Sequence, residues 1–264
     1  MEKLTKKLKD NIEGVKAVLS AEDILVYEFL TGDGTECAIV YTDGMVDKAL
    51  LGDLAARPLS KLTPENKEKG FTLEEVKQTL LFPELKEETQ LQNIFAEVLD
   101  GNSLLLVDGL ETGLIVGAKL LPTRAVMEPP TDIAVKGPRE GFIEDIKTNM
   151  ALLRKRLKTP DLKFELQKAG KRSQTNIAIC YLDGICDEKV KKEVAARIGE
   201  IDIDCIPDSS YVAAFIAPRK HSIFREVGTT EKPDILAAKM AEGRVGILVD
   251  GSPIALTVPF ILTE

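Results

Sequence analysis

The chain is 264 residues long, 44% hydrophobic and 30% charged, and its 35 Lys and Arg against 43 Asp and Glu give a net charge of −8. This is the composition of a soluble globular protein with room for one large domain or two modest ones, and its acidity disfavours phosphate backbones, so no nucleic acid is expected as a partner. A single histidine, His221, excludes zinc sites built on two or three imidazoles, and with no nucleotide-binding motif in the sequence, no metal or other cofactor is expected.

The N-terminus has no apolar core of a signal peptide. Leu4, Leu8, Ile12, Val15 and Leu19 fall on one helical stripe, predicting an amphipathic helix from Leu4 to Leu19. Ile24 to Leu30 and Cys37 to Tyr41 are β-rich runs on either side of Gly32-Asp33-Gly34, so a strand pair follows. Asp43-Gly44 supplies the turn out of the second strand, and Asp47 is placed to cap the next helix. Thr89 to Leu99 reads as a helix, followed by strands at Leu104 to Val107 and Leu114 to Val116. The longest apolar stretch, Ser103 to Leu121, is broken by Asp108, Glu111 and three glycines, so no bilayer crossing is expected in it. A proline-rich run from Pro122 to Pro138 then marks a boundary.

Beyond that boundary the chain repeats itself. Tyr41-Thr42-Asp43-Gly44-Met45-Val46-Asp47 aligns with Tyr181-Leu182-Asp183-Gly184-Ile185-Cys186-Asp187 at an offset of 140. Leu105 to Gly109 aligns with Ile247 to Gly251 at 142, and Leu8-Lys9-Asp10-Asn11 with Ile146-Lys147-Thr148-Asn149 at 138. The second half therefore repeats the plan. A helix carries Phe142, Ile146, Leu152, Leu153 and Leu157, strands run over Leu162 to Leu166 and Asn176 to Tyr181, and a helix over Pro233 to Ala241 is capped by Gly243. Strands at Gly246 to Val249 and Ile254 to Val258 close it. The expected fold class is α/β (α+β), with two structurally similar subdomains from an internal duplication, 1–134 and 135–264, each a mixed or antiparallel sheet packed with helices. The first half has 14 Lys and Arg against 24 Asp and Glu, net −10, and the second is net +2.

Catalytic constellations are weak. His221 lies in the polar run Pro218-Arg219-Lys220-His221-Ser222, which reads as an exposed loop. Cys37, Cys180, Cys186 and Cys205 contain no CxxC pair and read as reduced, buried small hydrophobes. Carboxylates beside Cys180 and Cys186 disfavour a thiolate nucleophile. Asp43, Asp108, Asp183 and Asp250 each precede a glycine, and turn chemistry accounts for them. The cluster Arg154-Lys155-Arg156-Leu157-Lys158 ends a helix, as a solvated helix end or as a contact for anionic lipid or a partner.

Gly137-Pro138-Arg139-Glu140-Gly141-Phe142-Ile143-Glu144-Asp145, with Thr148-Asn149 and Leu153-Arg154-Lys155-Arg156, strongly resembles the A subunits of GerA-type bacterial spore germinant receptors. So do Asn176 to Gly184, Ile201 to Asp204, Thr230-Glu231-Lys232-Pro233-Asp234 and the run from Glu242 and Gly243 through Asp250, Gly251, Ser252 and Pro253. The chain departs from the family at Phe224-Arg225-Glu226 and at Lys232. The resemblance implies a non-enzymatic soluble region facing the cytoplasm or spore core, ahead of a multi-helix domain in the spore inner membrane. It implies receptor B and C subunits as partners, other A subunits as further ones, and a role in signal transduction and assembly during nutrient-triggered germination. An alternative is a module that binds an amino acid, sugar or nucleoside germinant in a cleft between the two halves.

Within these motifs, Gly137-Pro138 is expected to start the helix that opens the second half, with Glu140, Glu144 and Asp145 at its N-terminal end and Arg154 and Arg156 at its C-terminal end. Arg139 and Glu140 then stand at the junction, either transmitting between the halves or locking the linker to the second. The motif positions carried as coupling candidates are Pro138, Arg139, Glu140, Glu144, Asn149, Arg154, Arg156, Glu231, Pro233, Asp234, Gly243, Asp250, Gly251 and Pro253.

Overall fold

The computed structural model describes residues 2–66, 70–120, 137–217 and 226–260. The chain divides into two compact units, Met1–Leu121 and Pro122–Glu264. His221, Arg219, Phe224, Arg225 and most of the proline-rich boundary lie outside the described residues.

The first unit runs α1 (Leu8–Val18), β1 (Ile24–Leu30), β2 (Glu36–Thr42), α2 (Lys48–Leu51), a wide π turn (Gly52–Ala56), α3 (Arg57–Leu59), α4 (Leu73–Thr79), β3 (Leu85–Glu88), α5 (Leu91–Leu99), β4 (Ser103–Val107) and β5 (Gly113–Val116). The second runs α6 (Ile146–Arg156), β6 (Leu162–Ala169), β7 (Thr175–Leu182), α7 (Glu188–Gly199), α8 (Ser209–Ile216), β8 (Gly228–Thr230), α9 (Pro233–Ala241), β9 (Val245–Val249) and β10 (Ala255–Val258). Each unit builds one five-stranded sheet, in the orders β1-β2-β4-β5-β3 and β6-β7-β9-β10-β8, and all the pairings are antiparallel. The registers repeat as well: Tyr27 pairs with Ile39, and Glu165 with Ile179.

Strand alternation sends successive side chains to opposite faces, so each sheet has a core on both sides. In the first unit Ala38, Val40, Leu104 and Leu106 meet the apolar stripes of α1 and α5. Cys37, Ile39, Leu105 and Val107 face the other way, onto Leu51, Ala55, Leu59 and Val76. The second unit repeats both layers, Ala178 and Cys180 against α6 and α9 and Ile177 and Ile179 against α7 and α8. Each unit is thus a helix, sheet, helix sandwich, which confirms the expected class and resolves its sheets as antiparallel.

Two edge strands were not legible in sequence. Leu85-Lys86-Glu87-Glu88 is charged and Gly228-Thr229-Thr230 is short, and each is ordered by pairing to an inner strand, β5 or β10. The helix that opens the second half also starts later than its sequence suggests, at Ile146 and not at Gly137-Pro138. Asp145 ends the lead-in by accepting the Thr148 amide at 2.7 Å, and Phe142 packs into the core from outside the helix. Leu4 does the same in the first half, pairing with Thr89 through its amide at 2.9 Å.

Candidate functional site

The candidate residues of the second unit gather around the lead-in to α6. Asn149, 1% exposed, turns its amide back on that segment: Oδ1 accepts from the Ile143 amide at 2.8 Å and Nδ2 donates to the Ile143 carbonyl at 2.5 Å. Asn11 makes the same two bonds to Thr5, at 2.8 and 2.7 Å. A buried carboxamide that pairs with both groups of one residue fixes the backbone six positions upstream. This is the physical content of the repeated asparagine.

Asp250 and Gly251 hold the same segment from across the chain. The Gly251 amide donates to the Glu144 carbonyl at 2.8 Å, and the Ile146 amide to Asp250 Oδ1 at 3.4 Å. In the first unit Gly109 donates to Lys6 at 2.7 Å and Leu8 to Asp108 at 2.9 Å. The Asp-Gly turns therefore cap the opening helices from a distance, which turn chemistry alone does not reveal. Gly109 and Gly251 sit at φ of 90° and 82°, where a side chain is strained. On the other flank the Phe142 amide donates to the Glu231 carbonyl at 2.7 Å. Next to Glu231, Lys232 is buried, Pro233 takes the first turn of α9, and Asp234 follows it. Gly243 ends α9 at φ 93°, its amide on Met240 at 2.9 Å, as its sequence position predicts. Pro253 stays half-buried in the turn before β10.

Glu140 supplies the charge. Its two carboxylate oxygens accept from Lys155 Nζ at 2.6 Å and Arg156 Nη2 at 2.5 Å, at the far end of α6. Partial burial raises the carboxyl pKa, but the hydrogen bond and charge of Lys155 and those of Arg156 outweigh it, leaving Glu140 below the usual glutamate value. Pro138 and Arg139 precede it, Arg139 exposed. Glu140 is thus not at the N-terminal end of α6: the lead-in runs back along the helix to its C-terminal end.

The basic cluster is a solvated helix end only in part: Lys155 and Lys158 are exposed, but Arg154 is not. Arg154 is 0% exposed, its guanidinium 5.1 Å from the Phe164 ring centroid and its Nη1 donating to the Thr159 carbonyl at 3.0 Å. A planar cation can stack on an aromatic ring and still reach a carbonyl in its own plane, which is why arginine suits this buried position. Among the described residues, the buried Arg156 Nε and Asp234 Oδ1 find no hydrogen-bond partner. Lys155 was missed as a partner of Glu140 because fifteen residues separate them and no local pattern links the two.

Asp47 and Asp187 cap α2 and α7 as their positions predict, accepting from Leu50 and Lys189. Of the cysteines, Cys37 and Cys180 are buried, and burial pushes the Cys37 thiol up to about 12. Cys186 is only half-buried and Cys205 is exposed, against the expectation that all four serve as core residues; the segment carrying Cys205 is irregular and turns its side chain outward. Among the described residues no three His, Cys, Asp or Glu side chains are grouped to hold a metal ion, and no helix is long and apolar enough to cross a membrane.

The sequence model of the family described as Bacillus/Clostridium GerA spore germination protein matches residues 10–264. Spore germination protein KA of Bacillus subtilis is 34% identical over 97% of this chain and 47% of its own length. Spore germination protein B1 of the same organism is 34% identical over 97% of this chain and 53% of its own. The chain therefore spans about half the length of the curated relatives it matches. The crystal structure of the N-terminal domain of the A subunit of the Bacillus megaterium spore germinant receptor GerK3 superposes with a TM-score of 0.74 at 30% identity, covering 99% of this chain and 98% of that one. Shared sequence and shared fold run nearly end to end, and the chain belongs to the GerA spore germination protein family.

Proposed function

We propose that this chain is a non-enzymatic signal-transducing and assembly domain of a spore germinant receptor A subunit. In this reading it faces the cytoplasm or spore core ahead of a domain in the inner membrane, and works with the receptor's B and C subunits and with other A subunits. The observation that carries the reading is the fastening of residues 140–146. Glu140 grips Lys155 and Arg156, Phe142 is bonded to Glu231, Ile143 to Asn149, and Glu144 to Gly251. A segment held at four points to α6, the strand β9 turn and the start of α9 moves with the unit as one body, which is what passing on a displacement requires. Arg139 and Glu140 stand at the point where the chain enters that body.

The test is charge reversal in spores carrying the full-length protein. Glu140→Arg is expected to abolish the germination response while the isolated domain keeps its circular dichroism and cooperative unfolding. Combining it with Lys155→Glu and Arg156→Glu restores part of the response. A normal response from Glu140→Arg spores would overturn the proposal.

A further inference from the structure

The duplication allows the two units to be compared position by position, and at one place they differ in kind. On the second unit's sheet face, Glu165 accepts from the Tyr181 hydroxyl at 2.7 Å. Lys191 lies over the Tyr181 ring at 4.4 Å, paired with Glu188 at 2.7 Å and Glu165 at 3.8 Å, and its side chain is 15% exposed. The lysine stem and its ion pairs cover that face. In the first unit the register puts Tyr27 where Glu165 stands, and the offset of 140 puts Tyr41 at Tyr181, Lys48 at Glu188, Leu51 at Lys191 and Gly52 at Lys192. The lysine that covers Tyr181 has Leu51 as its counterpart, Lys48 reaches over the Tyr41 ring only at 5.8 Å, and a cavity of about 290 Å³ remains, walled by Tyr27, Tyr41 and Lys48 and floored by Ile39, Leu51 and Ala56.

The backbone departs at the same place. The second unit's α7 is an unbroken α-helix, whereas the first unit widens to a π turn at Gly52–Ala56, two of whose residues line the cavity. The Arg57 amide reaches back five residues to the Gly52 carbonyl, and just beyond it Pro58, with no amide, leaves the Leu54 carbonyl to accept from Leu81 at 3.3 Å. Such single π turns are commonly found at functional sites.

From this geometry we infer that the first unit binds a small aromatic carboxylate between Tyr27 and Tyr41. The ring is the part the walls select. Tyr27 is 51% exposed yet held in place by stacking on Phe29 at 5.7 Å, and Tyr41 offers a second ring beside an aliphatic floor. The volume suits one ring with a short substituent. Lys48 selects the charge: it is the single charged side chain lining the cavity, kept at its rim 5.8 Å from the Tyr41 centroid by a 2.6 Å bond to Asp43, with further ammonium hydrogens to donate. The first half is net −10, so an anion gathers there only if a specific contact holds it.

The test is a titration of the 264-residue chain with benzoate, benzyl alcohol and benzylamine, followed by amide NMR. Benzoate is expected to give saturable shifts confined to β1, β2 and residues 48–56, with a dissociation constant of roughly millimolar order and benzylamine at least about tenfold weaker. Tyr27→Ala, at an exposed ring, weakens benzoate about tenfold. Lys48→Met removes its advantage over benzyl alcohol, and Leu51→Lys, which rebuilds the second unit's lysine cover, abolishes the shifts. If Leu51→Lys fails to fold, Tyr27→Ala decides. Non-saturating benzoate shifts, shifts elsewhere, benzylamine as tight as benzoate, or unchanged binding by Tyr27→Ala would each overturn the inference.

Discussion

Lys16 and Arg154 occupy the same position of the duplicated opening helix, 138 residues apart. Lys16 is exposed in the last turn of α1, where its charge favours the carbonyl end of the helix and little else. Arg154 is wholly buried in the last turn of α6, on Phe164 and the Thr159 carbonyl. The first unit has Val26 where the second has Phe164, so the ring that receives the guanidinium exists only once. Asn11 and Asn149, by contrast, make the same bonds in both units. Duplication has kept the contacts that set the backbone and let the side chains around them diverge.

The sharpest way to break this comparison is to truncate the two cations. Arg154→Ala should cost about 3 kcal/mol, since it empties a buried site and strands a carbonyl, whereas Lys16→Ala should stay within about 0.5 kcal/mol. Urea unfolding, with hydrogen exchange to assign the loss to a unit, reads both; equal costs would show that burial of Arg154 contributes nothing. Next in size, Asn11→Ala and Asn149→Ala should each lose about 2 kcal/mol, because each leaves a backbone amide and carbonyl without their partner. A gap of more than about 1 kcal/mol between them would mean that the shared geometry is not shared energetically.

The smallest effect belongs to the second unit alone. Glu140, partly exposed, gains no more than about 1 kcal/mol from its two cations. Its folded-state pKa lies below the unfolded value near 4.5, so its contribution is present above that value and is lost as the pH falls through the lowered one. Glu140→Gln should therefore be less stable than the parent at neutral pH and converge with it in acid. Parallel stability curves from pH 7 to pH 3 would place the carboxylate outside the stabilising network.

Much of the fold was legible because its signals are local. The strand β1 and the helix α9 fall where the alternation and the Pro-to-Gly frame put them, and Asp47 and Asp187 cap as the spacing requires. The start of α6 was misread because Gly137-Pro138, Glu140 and Glu144 together imitate a helix N-terminus, and only the bond from Thr148 to Asp145, together with the Asn149 clamp, moves that start to Ile146. The candidate site was legible as a set of motif residues but not as an arrangement. Glu140 to Arg156, Phe142 to Glu231 and Glu144 to Gly251 each join positions far apart in the chain.

Period, turn residues and internal repetition are written within a few residues of where they act, so the duplicated plan, the order of helices and strands, and the caps follow from the chain read in one dimension. Edge strands β3 and β8, the burial of Arg154, the clasp on Glu140 and the open face beside Tyr27 arise when segments that are remote in sequence meet in space. No local preference encodes which side chain will be waiting there, so these features came from packing.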